Sequence, residues 1–356
     1  MPGRPNGPGE GETKLSETPS RNDQARSERS AGHAAPGARR TRKRKGLRVA
    51  LISLASVFAL GAAVAVGGVL VLNHLASGIR RIPVTFAKLT VADHAAAQHS
   101  GAMNVLITGA GIGPTGSAGG SANSGLIMLL HINASQQAGG VVSIPPRVVV
   151  PVPGHGDTAI QNALALGGPS LLVQTVEQLT GVQVDHYARI NFSDVANVVD
   201  SVGGVNVVLP ETTSSFGHTF YAGRNHIDGA VALDYARQPS LSEDGRVLRQ
   251  QSLIRAVLSK IANDHLLVNP VTTYHVLSAL TAMLTVDSNF TNTELASLAG
   301  ELKDLSSGAG TYVTAPSSGT VLQQPVSDRL WQAIRQDSIA DFAQRYPSTV
   351  TPQAVP

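Results

Sequence analysis

Val49 to Leu72 is a run of 24 residues with no charge and no proline. As a helix it spans roughly 36 Å at about 1.5 Å per residue, enough to cross a ~30 Å hydrocarbon layer with some tilt. Arg39, Arg40, Arg42, Lys43, Arg44, Lys45 and Arg48 precede it, seven cations in ten positions, whereas the first cations after it are Arg80 and Arg81. Positive charge is retained on the cytoplasmic side. The expectation is a single-pass cell-membrane protein with a cytoplasmic N-terminus and its main part outside. The apolar part of a cleaved signal peptide is usually about 7–15 residues; this longer run reads as an uncleaved signal anchor.

The span organises the rest. Residues 1–48 have no apolar periodicity and are expected to be a disordered basic tail. Residues 49–72 form the transmembrane helix, 73–100 a linker, 101–346 one extracytoplasmic domain, and the Pro-containing stretch 347–356 a flexible tail. Charge follows the same division. Residues 1–48 hold 12 Lys+Arg against 5 Asp+Glu, and residues 49–356 hold 15 against 19. The basic excess therefore lies in the leader, and the outer part is mildly acidic. A nucleic-acid-binding domain needs its positive surface on the folded part, so no nucleic-acid partner is expected. The chain has no cysteine, which excludes disulfides, thiolate metal sites and thiol nucleophiles.

Within the outer domain short apolar runs alternate with helical patterns. Met103–Thr108, Leu126–Ile132, Val141–Ile144, His186–Phe192 and Val205–Leu209 are predicted strands. Helices are predicted over Pro169–Thr180, stopped by Gly181, over Ser193–Val202, after a capping Asp228, over Val247–Ala262, and near 293–305 and 328–345. The pattern predicts an α/β fold, a central mixed sheet layered with helices.

Gly111, Gly113 and Gly116 fit a dinucleotide-binding spacing. Pro114 and a Ser/Gly stretch follow where a helix would have to start, so the segment is read as a surface loop. His218, His226 and Asp228 lack helical metal-ligand spacing, no metal ligand is assigned, and no Ser stands in a nucleophile elbow. No catalytic residue is singled out. The distinctive feature is arginine. Beyond residue 48 there are only three Lys but twelve Arg, four of them at 237, 246, 249 and 255. Arg246 and Arg249 are three apart at the start of a helix, with Gln250 beside them and Arg237 just upstream. Forked guanidiniums at a helix N-terminus suit a phosphate or pyrophosphate; a solvated charged face pairing with Asp234, Glu243 and Asp244 is the alternative.

Four stretches resemble the LytR-CpsA-Psr (LCP) family of membrane-anchored envelope phosphotransferases. They are NVLITGAG with SGLIMLLHINAS, the segment from VVSIPPRVVVPVPG to TGVQVDHYARINF, FSDVANVVDSVGGVNVVLP, and GRNHIDGAVALDYARQ with DGRVLRQQ. The resemblance covers about residues 103–263. It implies transfer of a glycopolymer from a polyprenyl-pyrophosphate lipid carrier onto peptidoglycan or a similar wall acceptor. It also implies a lipid pocket, arginines on the pyrophosphate and Mg²⁺ on aspartates. Arg237, Arg246, Arg249 and Gln250 stand at matching phosphate-binding positions. The family's carboxylates do not: Gly111, Gly125 and Arg147 stand where aspartates are expected. Asn123, Pro146, Ala159, Gln161 and Pro239 replace other family polar or basic residues. Arg147 stands one place from the family's arginine and is read as a phosphate-binding residue. The expected function is therefore LCP-type transfer, or, without the metal carboxylates, a catalytically inactive protein that binds the carrier or scaffolds a partner transferase.

Overall fold

The computed structural model describes residues 74, 77–86, 101–110, 125–135, 139–238, 243–263, 270–295, 297–298 and 310–351. The chain divides into two units, 1–64 and 65–356, and all described residues lie in the second. The basic tail, the span at 49–72 and the glycine loop at 111–124 fall outside them. Among the described residues no helix is long and apolar enough to cross a membrane.

The sheet is built on β2 (Met103–Ala110) and β3 (Leu126–Ile132), whose apolar residues pair antiparallel from Met103 against Ile132 to Gly109 against Leu126. Every residue of β3 is buried. That burial on both faces explains why its sequence is an apolar run rather than an alternation. β4 (Gly139–Ser143) extends the sheet antiparallel to β3, and β7 (His186–Asn191) pairs parallel with β2. Three strands not foreseen from sequence complete it: β1 (Arg80–Ile82), β12 (Leu284–Asp287) and β13 (Thr311–Thr314). The order is β1-β12-β7-β2-β3-β4-β13, with parallel and antiparallel pairs mixed. The stretch read as a linker thus supplies an edge strand. Smaller ribbons pair β5 (Val149–Val152) with β6 (Gly156–Ala159), β8 (Val205–Leu209) with β11 (Gly223–Ile227), and β9 (Thr213–Ser215) with β10 (His218–Phe220).

Alternate residues of the strands feed two cores. Leu106, Ile127, Leu129 and Val142 pack with α1 (Asn162–Thr180), α6 (Val326–Arg335) and α7 (Ile339–Arg345), through residues such as Leu172, Val176, Leu330, Trp331 and Phe342. Val105, Met128, Leu130, Val141 and Ile190 face the other way. They pack with α2 (Val195–Ser201), α3 (Gly229–Ala236), α4 (Glu243–Asn263) and α5 (Pro270–Met283). The molecule is a mixed sheet between two helical layers.

Local chemistry accounts for several boundaries. α1 is interrupted at Gly167 and Gly168, restarts at Pro169, and ends where Gly181 takes a left-handed φ of 63°, a conformation glycine adopts without steric cost. Asp228 caps α3 by accepting from the Val231 amide at 2.9 Å. The helix expected over 328–345 is instead α6 and α7, broken at Asp337, whose φ is 52°. Its carboxylate accepts from Ala134 N at 3.0 Å and lies 2.9 Å from His131 Nε2, so a contact across the fold offsets that strain.

Candidate functional site

β2, β4, β7 and β13 run in one direction, so their C-terminal ends gather at one end of the sheet. Ligands of open α/β sheets bind outside such ends. Here a cavity of about 430 Å³ opens between the turn after β4 and α4, lined by Pro145, Pro146, Leu248, Gln251 and Thr314 among others. Beside it a narrow apolar slot of about 40 Å³ runs between the sheet and α4. Ile107, Met128, Leu130 and Val141 form its sheet side; Ile254 and Leu258 form its helix side. Ser143, Gln251 and Thr351 border both spaces. A cavity of mixed polar and apolar lining beside an apolar slot suits an amphipathic ligand.

The segment expected to be a flexible tail helps to wall the cavity. Pro347–Thr349 form a turn, Val350 bridges to Val313, and Thr351 N donates to Tyr312 O at 2.9 Å. Ser348, Thr349 and Val350 line the cavity as well.

The structure separates the arginines that spacing had grouped. Arg249 is 1% exposed. Its guanidinium carbon lies 4.7 Å from the Tyr235 ring centre and 5.9 Å from that of Phe220. Burial lowers its pKa from the usual arginine value, partly countered by Tyr235. Such an arginine ties α4 to α3 and the β10 end. Arg246, one turn earlier, is half-buried. Arg237 follows α3 and pairs with Asp234 at 2.6 Å, so the charged-face alternative accounts for part of its surroundings. Gln250 is buried, and its Oε1 has no hydrogen-bond partner among the described residues. Arg147 is exposed in the turn after β4, next to Pro146 at the cavity.

Two residues the sequence reading left out of the site belong at it. Gln251 donates from Nε2 to the Ser143 hydroxyl between cavity and slot. Arg255, one turn on, stacks 4.1 Å from the Tyr312 ring centre beside the slot, and its pKa is lowered by burial. The signal for Gln251 was its place in the ArgGlnGln run, four residues after Val247 and three before Ile254 on the apolar stripe.

For the Mg²⁺ that the family resemblance implies, the described residues hold no acidic cluster. Among the described residues no group of three His, Asp or Glu could hold a metal. The Gln238 amide and Gln250 Oε1, buried beside α3 and α4 with no hydrogen-bond partner among the described residues, are neutral groups rather than anionic oxygen ligands.

A family model described as the LytR_cpsA_psr family matches residues 81–338. The chain belongs to the LytR-CpsA-Psr family. It is 38% identical over 164 residues to "Probable cell wall biosynthesis protein LcpB" of Corynebacterium glutamicum, covering 45% of this chain and 39% of that protein. Against "Polyisoprenyl-teichoic acid–peptidoglycan teichoic acid transferase TagU" of Oceanobacillus iheyensis the identity is 34% over 149 residues, 39% of this chain and 47% of that one. The match thus spans less than half the length of either relative. Among solved structures, a LytR-Csp2A-Psr enzyme from Actinomyces oris shares the fold, with a TM-score of 0.57, 21% identity and coverage of 72% of this chain and 95% of that one. TagV of B. subtilis gives a TM-score of 0.55 at 19% identity, covering 68% and 98%. The expected family and its mixed α/β architecture are therefore established for this LytR-CpsA-Psr protein. Arg246, Arg249 and Gln250 lie on α4, and Arg237 lies just beyond α3.

Proposed function

We propose that this LytR-CpsA-Psr protein binds a polyprenyl-pyrophosphate-linked glycopolymer and transfers it to peptidoglycan or a similar wall acceptor. The observation that supports it is the apolar slot under α4 adjoining the cavity at the C-terminal ends of the strands. The apolar lining of the slot, about 40 Å³ as it stands, suits the start of a prenyl chain, and the cavity, with Arg147 beside it and Arg246 at the start of α4, suits the pyrophosphate and first sugar. The names of the relatives, wall biosynthesis and teichoic acid transfer, point the same way.

In the reaction an acceptor hydroxyl oxygen attacks the sugar-bearing phosphorus. The bond from that phosphorus to the bridging oxygen breaks, polyprenyl monophosphate leaves, and the hydroxyl proton passes to solvent. Charge gathers on phosphoryl oxygens, where preorganised guanidinium and amide donors lower the barrier. Residues 49–72 would anchor the chain once in the cell membrane, with the N-terminus cytoplasmic and the site outside, in reach of a carrier in the same bilayer.

One observation favours a second reading, a carrier-binding protein or scaffold without turnover: Gly125 and Arg147 stand where the family places carboxylates. The test incubates the full chain in micelles with a polyprenyl-pyrophosphate disaccharide and peptidoglycan fragments, with Mg²⁺ or with a chelator. Release of polyprenyl phosphate in both conditions is expected of the guanidinium and amide donors. Binding without release supports the second reading. No binding of the carrier overturns both.

A further inference from the structure

We propose that Asp234 and Phe216 are positioning residues for Arg237, holding its guanidinium in a fixed orientation toward a phosphate oxyanion. The inference rests on the phosphate-binding reading above and extends it to residues outside the family pattern.

Arg237 follows the last turn of α3, where the end of a short helix would leave a long side chain free to move. Three contacts constrain it. Asp234 Oδ1 accepts from Arg237 Nε at 3.2 Å and from Nη2 at 2.6 Å. Asp234 is 8% exposed, so this pair is shielded more than a surface ion pair. Its other oxygen, Oδ2, lies 3.2 Å from His218 Nε2 on β10, which fixes the carboxylate in turn. The Phe216 ring supplies the third contact, its centre 4.9 Å from the guanidinium carbon.

Phe216 is the telling residue. It sits in the turn between β9 and β10 at a φ of 50°, and the next residue, Gly217, is at 82°. Ser215 pairs with His218, and the two-residue loop between them takes positive φ at both positions, where a bulky side chain is an unusual choice. Packing in the core does not explain it, because Phe216 is 47% exposed. The Arg237 guanidinium is the ring contact found for it, so the turn delivers a ring to an arginine. Arg237 spends Nε and Nη2 on Asp234. Nη1 has no hydrogen bond among the described residues, and the fork that Asp234 orders can present it to an anion.

The test uses the full chain in detergent micelles, with geranylgeranyl pyrophosphate as the probe and calorimetry as the binding readout, alongside thermal melts. Arg237→Ala is expected to weaken binding about tenfold, the loss of one charge-assisted contact. Asp234→Ala is expected to weaken it about fivefold, and Asp234→Asn, which keeps an acceptor for Arg237, to recover most of that loss. Phe216→Gly is decisive, because glycine accepts the left-handed φ. The melting temperature should stay the same or rise while affinity falls about two- to fivefold, the size of an exposed cation–π contact. A purely structural role predicts that stability and affinity move together. Unchanged or tighter binding in Phe216→Gly and Asp234→Ala, with Arg237→Ala still weakened, overturns the positioning role and leaves the phosphate reading intact. Folded wild type that does not bind the probe overturns both, and so does an Arg237→Ala variant with unaltered binding for the part assigned to Arg237.

Discussion

The side-chain amide of Gln251 donates to the hydroxyl of Ser143, joining α4 to the C-terminal end of β4 at the border between the cavity and the apolar slot. Both residues are buried. Removing one partner leaves the other buried and unsatisfied, which costs more than the bond itself is worth.

Gln251→Ala should therefore lower stability by about 1–3 kcal/mol. The paired change with Ser143→Ala should cost less than the sum of the two single changes. Urea unfolding of the four proteins in the cycle measures the coupling.

Arg249 and Arg246 should differ in kind. Arg249→Ala removes a buried side chain between Tyr235 and Phe220 and is expected to cost roughly 2–4 kcal/mol of stability. Arg246→Ala, at a half-buried position, should change stability by less than about 0.5 kcal/mol while weakening carrier binding or transfer. Melts and binding on the same preparations check the contrast.

Glu177 should make stability depend on pH. It is 1% exposed, and burial raises its pKa from 4.5 to about 7, although its Oε1 accepts from the Val184 amide. A carboxyl whose folded pKa lies above its unfolded one contributes most at low pH. Its contribution is full below 4.5 and is lost as pH rises through about 7. Glu177→Gln keeps the acceptor for Val184 and removes the ionisation. The variant should gain stability relative to wild type between pH 4.5 and 7 by at most on the order of 3 kcal/mol, then stay level above that. Denaturant unfolding at pH 4.5, 6, 7 and 8 reads the difference.

Gly229 should tolerate no side chain. Its amide donates to Asp200 Oδ1 at 2.8 Å, and a Cβ there would lie 2.2 Å from Ala196 O. Relief requires α3 and α2 to separate, so Gly229→Ala should cost about 2–3 kcal/mol or more. Circular dichroism melts would show it.

Elements whose signals are local were legible in the sequence. Leu126–Ile132 and Val205–Leu209 are strands with the bounds their apolar runs gave. The Pro169 helix stops at Gly181, and Asp228 caps the helix after it, because proline, glycine and aspartate act on the backbone within a turn of themselves. Sequence also named the family. Tertiary structure decided what depends on distant partners. Arg80–Ile82, Leu284–Asp287 and Thr311–Thr314 are too short to announce themselves and become strands only by pairing at or near the sheet edges. Residues 347–351 read as a loose tail until Val313 and Tyr312 bind them. Helical spacing put Arg246 and Arg249 on one side of α4, but depth was set by what covers that side. Tyr235 and Phe220, brought by α3 and β10, bury Arg249 and leave Arg246 nearer solvent. Burial is a property of the neighbours a residue receives, and those neighbours are chosen by the fold rather than by the interval between two arginines.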